Sequence, residues 1–151
     1  MVTVGQATTK VFKQVRLERN SFMMAAHYFD VHIGGEGIQS YFMWKRNDSR
    51  FPIYHHIMDM MKRSARNGKS IEDATAEDER SIYIPYDSIQ GVVTYKKHKE
   101  IQLLSTAEQV YFIFRNVDDY DEFVSNLKEN IGDRYFTRDD IDIEETVYMS
   151  K

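Results

Sequence analysis

The chain has no cysteine, two prolines and a single tryptophan in 151 residues. Without thiols there is no disulfide framework, no thiolate metal site and no cysteine nucleophile. No apolar run approaches the roughly 20 residues needed to cross a bilayer as a helix, and the first residues lack the basic-then-apolar order of a secretion signal. The expectation is a soluble cytoplasmic protein. A positive balance is missing as well: Lys and Arg number 20 against 24 Asp and Glu, a formal net charge of −4. Dedicated nucleic-acid binders displace counterions from phosphates with Lys and Arg, so this balance argues against one. What is present is 42% hydrophobic residues, with aromatics at 13%, enough for the core of one ordinary domain.

The second half reads most clearly. Residues 81–86, 89–95, 100–104 and 110–115 are short runs of β-branched and aromatic residues with polar breaks, the pattern of strands. A helix follows, because Tyr120, Phe123, Val124, Leu127 and Ile131 fall on one stripe at 3.6 residues per turn. Asn116 is placed to cap it, Asp118 and Asp119 suit the positive end of its dipole, and Gly132 is placed to stop it.

In the first half, residues 1–9 read as a loose leader and residues 10–18 as a strand. Val11, Val15 and Leu17 are expected on one face of that strand, with Phe12 on the other. Residues 27–33 and 38–45 read as a β-hairpin around Gly34-Gly35-Glu36-Gly37, where glycines are expected to supply positive φ. Pro52 is well placed to open a helix that runs to residue 66. One face of it carries Ile53, Ile57, Met60, Met61 and Ser64, and another His55, Asp59 and Arg63. Asn67-Gly68 reads as its stop, and the acidic segment 67–80 as a surface loop. Residues 10–132 are thus expected to form a single domain, with 133–151 as an acidic tail or an edge strand.

This order of elements resembles the pleckstrin-homology-like superfold, most closely its GRAM and small bacterial members. The residues that carry the resemblance are Ile82-Tyr83-Ile84-Pro85-Tyr86-Asp87-Ser88-Ile89-Gln90-Gly91-Val92, Ile101-Gln102-Leu103, Tyr111-Phe112-Ile113-Phe114 and Asp118-Asp119-Tyr120-Asp121-Glu122-Phe123. The resemblance implies an α+β fold: a strand-rich barrel or sandwich with a C-terminal capping helix, here with a helix inserted after the third strand. Phosphoinositide binders of the superfold carry a Lys/Arg cluster across their first two strands, for which Lys13, Arg16 and Arg19 are the candidates here. The function implied is a non-catalytic binding or assembly module that recognises a protein partner, with lipid headgroups as the other ligand class.

The side chains themselves offer three chemistries. Lys96, Lys97 and Lys99, with His98 between them, form a basic turn that could meet anionic headgroups or phosphate, although three lysines fall short of the four to eight of lipid-binding clusters. A solvated turn that protects strand edges is the simpler reading. Asp30 and His32, two apart on a strand, share a face, whereas His27 points to the other. They could seed a metal site or the centre of a small α+β enzyme, but spacing supplies no third or fourth ligand and no nucleophile elbow. A cross-strand or surface pair is the simpler reading, and no cofactor or metal is expected. Finally, Met58, Met60 and Met61 lie on a helix outside the recognisable core. An amphipathic helix must bury its stripe, and a second copy of the chain is one available surface, so a homo-oligomer is expected.

Overall fold

A computed structural model describes residues 8–19, 27–45, 52–106 and 108–132. Seven strands, β1 (Thr8–Arg19), β2 (His27–Gly34), β3 (Gly37–Lys45), β4 (Ile82–Pro85), β5 (Ile89–Tyr95), β6 (Glu100–Ser105) and β7 (Gln109–Ile113), form one antiparallel sheet. Its spatial order is β4-β3-β2-β1-β7-β6-β5, so the first and last strands are neighbours at its centre. All seven strands feed one apolar core, from Phe12, Val15 and Leu17 of β1 to Val110 and Phe112 of β7. The sheet must therefore curl about that core, since each strand offers it only alternate side chains.

The C-terminal helix α3 (Val117–Ile131) covers the core with the stripe read from the sequence. Tyr120, Phe123 and Leu127 are buried, and Val124 and Ile131 pack against the same cluster. The Phe123 ring sits 5.3 Å from Phe12, 5.4 Å from Phe112 and 4.9 Å from Phe114. Asn116 caps the helix, its side-chain oxygen accepting from the Asp119 amide at 2.8 Å. Gly132, at φ +82°, stops it in a conformation that costs glycine nothing. An antiparallel, strand-rich sheet closed by a C-terminal helix is the α+β arrangement expected from the sequence. Between its third and fourth strands lie two helices, α1 (Pro52–Arg66) and α2 (Ile71–Ala76).

Three local expectations differ from what is found. The first concerns β1, where Val11 does not share a face with Val15. From Phe12 to Val15 the strand advances three residues while β2 advances only from Val31 to Phe29. The extra residue is a β-bulge, with Gln14 at φ +56°. Phe12 thereby joins Val15 and Leu17 in the core, and Lys13 and Gln14 are both exposed. Strict alternation has no means of signalling such an insertion.

The second concerns the β2–β3 hairpin. It forms at Gly35 and Glu36, but the positive-φ glycines among the described residues are Gly68 and Gly132. Gly37 serves close approach instead: a Cβ there would stand 2.6 Å from the Ile84 carbonyl oxygen and 2.7 Å from the Tyr83 ring. The third concerns residues 67–80, which are not all loop. Gly68, at φ +87°, does follow the end of α1, but Ser70 then caps α2 by accepting from the Asp73 amide at 3.1 Å. Ala74 is buried against Tyr41. The expectations for residues 1–7 and 133–151, and for the side chains of Ile53 and His55, lie outside the described residues.

Candidate functional site

The helix α1 is seated on the sheet by its charges. Asp30, in the middle of β2 between the core residues Phe29 and Val31, is fully buried on the outer face. A carboxylate cannot be buried there without a counter-charge. Arg63 supplies it with a two-pronged contact, Nε to Oδ2 at 2.7 Å and Nη2 to Oδ1 at 2.9 Å, the strong form of such a pair. Arg66, with 5% of its side chain exposed, lies 3.6 Å from the same Oδ2. Its guanidinium stacks 4.4 Å above the Tyr41 ring and donates to Met43 Sδ at 3.1 Å. Lys62 donates to the Met43 carbonyl. Both arginines also suit the negative end of the α1 dipole.

Burial and these charges set the ionisation of the seat. His32 shares the outer face with Asp30, and its ring meets Tyr41 edge-on at 5.1 Å. Burial pushes its pKa from 6.5 down to about 4, Asp30 opposing and Arg66 and Arg63 reinforcing the shift, so the imidazole is neutral near pH 7. Burial likewise lowers the Arg66 pKa and raises that of Tyr41 to about 12. Bonding to Asp30 raises the Arg63 pKa.

With its charged side held down, α1 shows its apolar side to solvent. Ile57 is 51% exposed, Met60 56% and Met61 60%. Of the four large apolar side chains exposed among the described residues, these are three, the fourth being Val117. Met58 is half-buried and Ser64 exposed. The seat and the stripe are thus two consequences of one orientation.

Beside the seat, Val11 and Lys13 of β1, Asp30 and His32 of β2, Arg63, Ser64 and Arg66 of α1, and Asn67 just after it border a cleft of about 540 Å³. The pairing of Asp30 and His32 on one face is as the sequence indicates, and His27 lies apart, its ring 5.6 Å from Phe42. Among the described residues no group of three or more His, Asp or Glu has the geometry of a metal site.

The basic residues singled out from the sequence are spread over the molecule, and three of the six, Arg16, Arg19 and Lys96, are paired with carboxylates. Arg16 bonds Glu18 at 2.9 Å. Arg19 makes a two-pronged contact with Glu108, at 2.9 and 2.7 Å, and reaches the carbonyls of Glu79 and Arg80. Lys96 lies 3.5 Å from Asp121 of α3, in a tight turn with Lys97 and His98, and Lys99 closes that turn at φ +53°. Sequence reasoning missed the ion pair between Asp30 and Arg63, although an aspartate flanked by Phe29 and Val31 was the available signal that a counter-charge must come from elsewhere.

No protein-family model matches the chain. No curated protein does either. Among solved structures it is similar to one described as "PH domain from TgAPH", at 17% identity over 82% of each chain and a TM-score of 0.46. No helix among the described residues is long and apolar enough to cross a membrane.

Proposed function

We propose that this chain is a non-catalytic binding and assembly module whose α1 helix pairs with α1 of a second copy. The observation that carries the reading is the orientation of α1: Arg63 and Arg66 are anchored on Asp30, and Ile57, Met60 and Met61 point outward. A stripe at i, i+3 and i+4, continued by Ser64 at i+7, is the seam that two helices share. Two copies of one stripe related by a two-fold axis are self-complementary, the commonest form of a dimer interface. Methionine adapts well to such a seam, being unbranched and polarisable.

The size of the stripe limits the affinity. Three side chains from each copy offer on the order of 600 Å² of apolar surface, below the roughly 1,200 Å² of a standard interface. The association expected is reversible, with a dissociation constant in the micromolar range. A protein partner is favoured over an anionic surface because Arg16, Arg19 and Lys96 already have carboxylate partners, and an exposed pairing of that kind must be given up before a headgroup is engaged. Sedimentation velocity tests the reading. Wild type at about 50 μM should sediment partly as a dimer, and Met60→Glu/Met61→Glu as a monomer, since like charges would face each other across the seam. A wild type that remains monomeric there would refute self-assembly through α1.

A further inference from the structure

The cleft beside α1 carries more positive charge than its structural role requires. Lys13, Arg63 and Arg66 border it, and Asp30 is the one carboxylate among the described residues of its walls. Both oxygens of that carboxylate are taken by Arg63, which leaves Arg66, at 3.6 Å, only a share. A guanidinium this deeply buried and only partly compensated gains from a second anion nearby. Lys13, from β1, adds a third cationic residue to the lining and forms no ion pair with any described residue. It stands there beside the bulge at Gln14, whose φ of +56° is costly for a residue with a Cβ. The chain maintains a strained backbone at the point where its cationic wall begins.

Hydrogen-bond donors stand at the same opening. Ser64 and Asn67 stand among the walls of the cleft, and the side chain of neither has a hydrogen-bond partner among the described residues. Val11 supplies an apolar wall. We infer that this cleft binds a small soluble organic anion, a carboxylate or a phosphate monoester with a compact apolar body. Lys13 and Arg66 provide the field that holds the anion, Ser64 and Asn67 donate hydrogen bonds to its oxygens, and Val11 packs against its body. A volume of about 540 Å³ is that of a small-ligand pocket, and a recess with low-dielectric walls concentrates the field of its cations. The Ile57, Met60 and Met61 side chains are not among its walls, so Ser64, at the end of the outward stripe, is the one residue that the cleft shares with the proposed seam.

Nitrogen–proton correlation spectra of the full chain test this, with phenyl phosphate and benzoate as probes, inorganic phosphate as the bare anion and benzyl alcohol as the neutral control. Saturable shifts at the amides of Lys13, His32 and Asn67 are expected with both organic anions at millimolar concentrations, with weaker effects from inorganic phosphate and none from the alcohol. Lys13 is exposed, so Lys13→Gln should retain the wild-type spectrum and bind about tenfold more weakly. Asn67→Ala should bind about threefold more weakly, and Lys97→Gln, on the distant turn, as wild type. The inference is overturned if no probe saturates, if Lys13→Gln binds as well as wild type, or if benzyl alcohol binds as well as benzoate. Preferential binding to phosphatidylserine vesicles over the soluble probes would also overturn it, since the ligand would then be a lipid surface.

Discussion

Replacing Asp30 by Ala should release α1 from the sheet. The variant removes the carboxylate on which two guanidinia converge, one bonded through two of its nitrogens and the other at 3.6 Å. Breaking one side of a buried pair costs about 3–5 kcal/mol because the surviving charge stays desolvated. The two arginines bear that cost unequally. With 29% of its side chain exposed, Arg63 can swing into water, whereas Arg66 at 5% cannot without lifting the helix. The expected loss is therefore at the low end, about 3 kcal/mol, and Asp30→Asn, which keeps an acceptor for Arg63, should lose about 2 kcal/mol. Urea unfolding gives the two values, and hydrogen exchange over residues 56–66 shows whether α1 is the part that opens, because a weakened docking contact raises local opening before global unfolding. In a double-mutant cycle with Arg63→Ala, the coupling should be about 1–3 kcal/mol. A loss below about 1 kcal/mol for Asp30→Ala, with exchange protection in α1 unchanged, would refute the argument that this carboxylate seats the helix.

Two further outcomes follow from burial elsewhere. Phe123→Ala and Leu127→Ala should each cost about 2–5 kcal/mol in thermal or urea unfolding, since both side chains are fully buried in the main core; a loss below about 1 kcal/mol in both would mean that α3 does not close it. His32 should make stability depend on pH. Its folded-state pKa of about 4 lies below its ordinary 6.5, so the unfolded chain takes up a proton that the folded chain resists. Its contribution is complete above pH 6.5 and declines as the pH falls towards 4, by at most about 3 kcal/mol. Unfolding free energies measured across that window should show a shallower slope in His32→Gln, and equal slopes would contradict the burial of a neutral imidazole.

Much of the fold was legible in the sequence, for a physical reason. Strands and helices that each bury one face on a common core must write that face as a period, and the stripe of α3 from Tyr120 to Ile131 was recovered residue by residue. The bulge at Gln14 was not legible, because one extra residue shifts the phase without changing composition, and it misassigned Val11. Gly37 was read as a turn former, when the approach of Ile84 and Tyr83 that excludes a Cβ is a tertiary fact. In α2, six residues rich in Asp, Glu and Thr look like a solvated loop until Ala74 meets Tyr41. The candidate site was half legible. Asp30 and His32 were placed on one face and Met60 and Met61 on one stripe, but the arginines that join the helix to the strand lie 33 and 36 residues away from Asp30 in sequence, beyond the reach of periodicity.

Since the chain has no cysteine of its own, disulfide trapping through introduced cysteines gives the most direct test of pairing through α1. Met60→Cys places a thiol on the outward stripe, and Lys97→Cys places one on the exposed β5–β6 turn as the comparison. On mild oxidation, Met60→Cys should be captured as a covalent dimer at a yield that falls on dilution through the micromolar range, while Lys97→Cys remains a monomer. Failure of Met60→Cys to dimerise, or equal trapping of both variants, would contradict the account.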